Sequence, residues 1–170
     1  GLHVTGMALG SRHLHRALAE RPEVAFRPAA ITHEASVIAE LRDFVSINSA
    51  VEVDLLGQVS AEMVGGRQIS GTGGAVDFMR GAAGSPGGRS IVAMTATAKG
   101  GARSRIVPAL AEGTAVTAAR TDVDCVVTEQ GVAELRGRSV DARAEALIAI
   151  AAPAFRDDLA AAWKVRRSRM

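Results

Sequence analysis

The residues best suited to chemistry are Ser70-Gly71-Thr72-Gly73-Gly74-Ala75-Val76-Asp77-Phe78-Met79-Arg80. Three glycines fall within four positions, directly before an apolar run of helical spacing formed by Val76, Met79 and Ala83. The pattern predicts a glycine loop feeding a helix N-terminus. Such a loop lets a ligand approach the backbone, because no Cβ stands in the way. Its free N–H groups and the helix dipole favour an oxyanion or a phosphate. From Phe78 to Ala111 there is no Asp or Glu, yet the segment carries Arg80, Arg89, Lys99, Arg103 and Arg105. Together these features predict an anion-handling surface with the loop at its focus.

Other chemistries fit less well. A dinucleotide fingerprint needs a third glycine where Val76 stands, and an acidic residue about 20 positions on for a ribose hydroxyl. The acid-free stretch offers none. No Gly-Lys-Ser/Thr follows, so the loop is not of the nucleotide-triphosphatase type. A plain tight turn is the bland alternative. Lys99 sits in Thr97-Ala98-Lys99-Gly100-Gly101 at a strand's carboxyl end, where α/β folds place ligands, although a lone lysine is more often a solvated surface group. His13 and His15 are two apart on a helix and do not share a face, and with one cysteine elsewhere no metal site is expected. His33 reads as a polar group at a helix start. Cys125, in a strand, reads as a buried, inert thiol. Glu52 and Asp54 alternate with Val51 and Val53, as in a strand with one wet face. Glu129, after a strand end, reads as a helix-start carboxylate.

The elements that would position these groups alternate. Leu2–Leu9 reads as a strand. Ser11 caps a helix carrying Leu14, Ala17 and Leu18, and Val24–Arg27 is a second strand. Thr32 caps a helix with Val37, Ile38 and Leu41 inward. Phe44–Leu55 is the clearest strand, turned at Gly57 toward an antiparallel partner in Gln58–Val64. After the loop helix, Gly84-Ser85-Pro86-Gly87-Gly88 is a turn cluster. Ser90–Thr97, Ser104–Leu110, Ala115–Thr117 and Asp122–Thr128 read as strands, and Glu129–Leu135 as one or two helical turns. Ser139 caps the strongest helix, Val140–Ala151. Pro153 closes it, and Phe155, Leu159, Ala162 and Trp163 mark a last amphipathic helix. The fold class expected is α/β, an open mixed, mostly parallel sheet flanked by helices.

Composition narrows the partners. A chain of 170 residues that is 48% hydrophobic and 3% aromatic is one domain with an aliphatic core. The net charge is +2, and the basic residues have no interleaved aromatics for base stacking, so nucleic acid is not an expected partner. A single cysteine excludes an internal disulfide and suits a reducing, cytoplasmic setting. No apolar run approaches membrane-spanning length. The chain opens Gly1-Leu2-His3-Val4, without Met and directly in strand-like sequence, which reads as an excised piece of a longer protein.

Several blocks together resemble the acetyl-CoA hydrolase/transferase family, which includes acetate-, succinate-, butyrate- and 4-hydroxybutyrate-type CoA-transferases. They are Asn48-Ser49-Ala50-Val51-Glu52-Val53-Asp54-Leu55-x-Gly57-Gln58-Val59, Gly71-x-Gly73-Gly74-x-x-Asp77-Phe78-x-Arg80-Gly81-Ala82, Thr97-Ala98-Lys99, Ser104-Arg105-Ile106-Val107-Pro108 and Val126-Val127-Thr128-Glu129-x-Gly131-x-Ala133-x-Leu135-Arg136-Gly137. They occur in the family's order, cover nearly the whole chain and resemble its C-terminal domain, here residues 1–170.

The resemblance implies an enzyme that moves CoA between a short acyl-CoA and a carboxylate, or hydrolyses the thioester, through a glutamyl-CoA intermediate. It implies Gly74 as a backbone donor to the thioester oxygen, with Gly71 and Gly73 shaping the loop. Ser70 and Lys99 fall at CoA-contacting positions, and the basic stretch suits the phosphates of CoA. The family glutamate lies upstream of the segment that Gly1–Ser11 resembles, so the N-terminal half of the same enzyme is an implied partner. Glu34, Glu52, Glu62, Glu129 and Glu134 are not substitutes for it. The resemblance leaves room for a homodimer of the full-length protein. His33 stands where some members carry an asparagine that helps hold the oxyanion, and its ring can donate a hydrogen bond there. Thr95-Ala96-Thr97 replaces a more usual Pro-Ser-Thr run. A non-catalytic binding or assembly domain, in which the glycine loop is only structural, is the alternative.

Overall fold

The computed structural model describes residues 1–170. The chain begins with β1 (His3–Thr5), then α1 (Arg12–Ala19) and β2 (Val24–Phe26), which pairs in parallel with β1. Ser11 caps α1 as expected, its hydroxyl accepting from Leu14 N at 3.3 Å. The first strand is shorter than Leu2–Leu9, and Leu2, Met7 and Leu9 stand exposed on either side of it. The next helix departs from expectation. Thr32 ends α2 (Ala29–Thr32), and Glu34 caps α3 (Ala35–Ala39) by accepting from Ser36 N at 3.3 Å. Of Val37, Ile38 and Leu41, only Ile38 is buried.

Phe44–Leu55 is not one strand. It divides into β3 (Val45–Asn48) and β4 (Glu52–Asp54), which lie in different sheets. Arg105 explains the break. Its guanidinium donates to the carbonyls of Ala50 and, at 2.9 Å, of Val51, so a side chain satisfies groups that a strand ladder would otherwise claim. Gly57 then turns β4 onto β5 (Val59–Ser60), antiparallel as expected. Nor is β4 wet on one face. Glu52 and Asp54 are both buried. Asp54 accepts from Leu56 N at 3.0 Å, Gln58 N at 2.9 Å and Gln58 Nε2 at 3.1 Å, and Glu52 pairs with Arg103. Their burial is possible because each carboxylate is bonded.

A hairpin of β6 (Met63–Val64) and β7 (Arg67–Gln68) leads through the glycine loop into α4 (Ala75–Gly84). Met79 and Ala82 form its buried face, while Ala83 is exposed. Ile38 of α3 sits against Gly81, where a Cβ would meet its Cγ2 at 2.5 Å, so the two helices approach closely. The Gly84–Gly88 turn delivers β8 (Arg89–Ala93). Next come β9 (Thr97–Ala98), a 3₁₀ turn at Lys99–Gly101, the antiparallel β10 (Arg103–Ser104) and β11 (Ile106–Val107), which joins β4 in parallel. Ala115–Thr117 is not a strand; the chain there makes one bridge, Ala118 to Val59.

β12 (Cys125–Thr128) runs parallel to β8, which runs parallel to β3, and β13 (Gly131–Glu134) closes the order β13-β12-β8-β3 antiparallel. The main sheet is therefore mixed and mostly parallel, as expected. β13 replaces the helical turns expected at Glu129–Leu135. Gly131 adopts φ +140° and pairs with Thr128, which makes a tight hairpin. Ala133 then points inward, between the exposed Val132 and Glu134. Ser139 caps α5 (Val140–Ala149) by accepting from Ala142 N at 3.2 Å, and α6 (Arg156–Arg167) ends the chain. Leu147, Ala144, Leu159 and Trp163 of these helices meet Val53, Val92, Val126 and Leu135 in one core. No helix is long and apolar enough to cross a membrane.

Candidate functional site

The site is built on the start of α4, reached from the antiparallel hairpin of β6 and β7. α4 has Gly74 at its N-cap, with no side-chain cap, so its first N–H groups are left for a ligand. Gly71 and Gly73 are exposed, and a Cβ on either would meet nothing within 4 Å. Gly73 has φ +56°, a left-handed conformation that favours glycine. Ser70 is exposed, and its carbonyl accepts from Gln68 Nε2 at 2.6 Å, which fixes the entry to the loop.

His33 meets this loop directly. A Cβ on Gly74 would overlap the Cδ2–Nε2 edge of the ring, so glycine there is what lets the imidazole touch the start of α4. Two contacts hold the ring. Thr32 Oγ1 lies 2.8 Å from His33 Nδ1, and the Phe78 ring packs at 4.8 Å between centroids, tilted by 55°. Phe78 stacks in turn with Phe44 at 6.3 Å. The sequence reading of Thr32 as a helix cap missed its role as the imidazole's partner; its adjacency to His33 was the available signal. His33, Gly73, Gly74 and Asp77 line an open cavity of about 540 Å³. On the other side of the ring, His33 borders an apolar cavity of about 660 Å³ that includes Phe44 and Phe78.

Lys99 is not in either cavity. It lies in a separate cleft of about 230 Å³ with Glu52, Arg103 and Arg105, held at φ +52° in the 3₁₀ turn. The basic field expected around the loop is mostly spent. Arg80 pairs with Asp122 at 3.5 Å, Arg89 with Glu134 at 2.7 Å and Arg103 with Glu52, while Arg105 donates to carbonyls and to Thr95 Oγ1 at 3.0 Å. The hydrogen bond and charge of Glu134 hold the Arg89 guanidinium above its ordinary pKa. Of the five cations in the acid-free stretch, Lys99 alone has neither an ion pair nor a hydrogen-bonded carbonyl. Glu129 is not free either, since its Oε2 accepts from Ala96 N at 2.8 Å. Cys125 is buried, and burial, followed by the Glu134 charge, pushes its thiol up.

Fold and site define an α/β domain that offers a helix N-terminus and open glycines beside a mixed sheet. The acetyl-CoA hydrolase/transferase C-terminal domain matches residues 10–163. The chain is 46% identical over 166 residues to 4-hydroxybutyrate coenzyme A transferase of Clostridium kluyveri, covering 98% of this chain and 39% of that protein. It is 47% identical over 158 residues to a probable butyrate:acetyl-CoA coenzyme A-transferase of Syntrophomonas wolfei, covering 92% of this chain and 35% of the other. The crystal structure of RipA from Yersinia pestis superposes with a TM-score of 0.88 at 36% identity, covering 98% of this chain and 36% of that one. The chain belongs to the acetyl-CoA hydrolase/transferase family and corresponds to its C-terminal domain. It spans 35–39% of the length of these two curated relatives.

Proposed function

We propose that this chain is the CoA-contacting C-terminal domain of an enzyme that moves CoA between a short acyl-CoA and a carboxylate, or hydrolyses the thioester. The observation that carries this reading is the open, uncapped N-terminus of α4, with His33 seated against Gly74. A thioester carbonyl placed there would receive the Gly74 N–H as charge develops on its oxygen. In the tautomer whose Nδ1 accepts from the Thr32 hydroxyl, rather than leaving that proton to Pro28 O at 3.5 Å, the ring proton sits on Nε2, the edge that faces Gly74, and His33 is a second donor. Gly71 and Gly73 keep the approach clear, and Ser70 lines it. Lys99, unpaired in its cleft, meets a phosphate of CoA as a point charge.

The nucleophile in this reading is a glutamate supplied by an N-terminal half of the same enzyme, which forms the glutamyl-CoA thioester. The glutamates of this chain are poor replacements. Glu52 and Glu129 are bonded as described, and Glu62 accepts from Thr117 Oγ1 at 3.0 Å and Gln68 Nε2 at 2.8 Å.

Titration calorimetry of CoA against the chain tests the reading. Saturable binding is expected, weakened about tenfold, or about 1.4 kcal/mol, by Lys99→Ala, and more by Gly74→Val, whose side chain would displace the imidazole. Binding that is indifferent to both substitutions would return the loop to a purely structural role.

A further inference from the structure

The opposite end of the sheet carries a cavity that the thioester site does not use. α4 runs from the glycine loop back toward the start of β8, and its ten residues span about 15 Å. Ala83, in its last turn, lines a cavity of about 360 Å³ with Arg120, Arg136, Arg138 and Arg143. The volume lies at the lower end of the range for small-molecule sites.

The charge in this cavity is one-sided. Asp124 is the one acidic residue of the lining, and it is already engaged. Its Oδ2 accepts from Ser90 N at 2.9 Å, and its Oδ1 lies 3.4 Å from Arg136 Nε. Arg143 is 8% exposed, yet no carboxylate pairs with it. Its guanidinium donates to main-chain carbonyls instead, those of Leu56 at 2.9 Å, Leu135 at 2.8 Å and Arg120. Burial, followed by repulsion from Arg120, draws its pKa down against the opposing charge of Asp54. Arg120 and Arg138 are exposed at the rim and form no ion pair. Val140, in the first turn of α5, brings the positive end of that helix to the same space.

We propose that this cavity binds a small phosphate-bearing ligand, clamped by Arg120 and Arg138 above the buried Arg143 charge. Guanidinium forks match phosphate geometry, and an anion here would add to the distant Asp54 charge beside an arginine that no carboxylate pairs directly. The site is independent of the thioester reading, because none of its lining residues belongs to the glycine loop, His33 or Lys99.

The test titrates inorganic phosphate into the chain at constant ionic strength, following Tm and heat of binding. A saturable rise in Tm is expected. The Arg120→Gln/Arg138→Gln double variant, altered only at exposed positions, should bind at least tenfold more weakly with an unchanged circular dichroism spectrum. Arg12→Gln, on the distant α1, should bind as the unaltered chain does. Arg138→Gln alone is the fallback should the double variant unfold, and it should lose several-fold. The same titration with saturating CoA present should give the same phosphate affinity. Absence of saturation, equal binding by the double or the fallback variant, or full displacement by CoA would each overturn the proposal.

Discussion

The two ends of α4 are both glycine turns, and they differ in how much of the glycine the protein itself requires. At the C-terminal end, Gly84–Gly88 is required by the protein itself. A Cβ on Gly88 would run into the Ala82 carbonyl and Ser85, and one on Gly87, at φ +78°, into the Asp43 carboxylate. Ser85 is buried there, its hydroxyl donating to Leu41 O while accepting from Phe44 N at 3.1 Å. At the N-terminal end, Gly71 and Gly73 face open space, while a Cβ on Gly74 would overlap the His33 ring. Among these three, only Gly73, with its left-handed φ, is demanded by backbone geometry. Gly71, which neither backbone geometry nor packing requires, is the glycine kept for something outside the fold. Composition alone makes the two turns look alike; the neighbours of the absent Cβ atoms separate them.

That contrast can be broken by substitution, beginning with the largest effect. Gly88→Ala should cost about 3 kcal/mol, as overpacking against backbone does, and lower Tm by roughly 6–12 °C in scanning calorimetry. A loss under ~1 kcal/mol would mean that the C-terminal turn is as permissive as the loop. Ser85→Ala should cost about 1–2 kcal/mol, because Phe44 N and Leu41 O lose a buried partner. Urea denaturation with an unchanged m-value would report this cleanly. The smallest effect on stability belongs to Gly71→Ala, which should shift it by less than ~0.5 kcal/mol, since the methyl enters open space. The same variant should still weaken CoA binding several-fold. A variant equally stable and equally competent for CoA would show the open loop to be spare.

Much of this was legible in local chemistry. Ser11 and Ser139 each sit one residue before a helical apolar period, and both cap as read. The glycine run before Ala75 likewise announced the start of α4, because helix starts are decided by residues within one turn of each other. The misreadings share another physics. Glu129–Leu135 has a spacing that suits a short helix, but pairing with β12 and the left-handed φ available at Gly131 made it a strand. Phe44–Leu55 is a convincing strand by composition until Arg105, more than fifty residues away, takes its central carbonyls.

The sequence by itself determined the family, the α/β class, the serine-capped starts of α1 and α5 and the loop that precedes α4. These rest on ordered motifs and on short-range periods and caps that survive any packing. Only the tertiary structure decided which charges are free. The stretch without Asp or Glu looked like a basic field, but folding brings Asp122 to Arg80 across 42 positions, Glu134 to Arg89 across 45 and Glu52 to Arg103 across 51. Ion pairing acts over a few ångströms of space and is indifferent to distance along the chain. The field therefore reduces to Lys99 in its own cleft, while four arginines, one of them buried and in no ion pair, line a separate cavity.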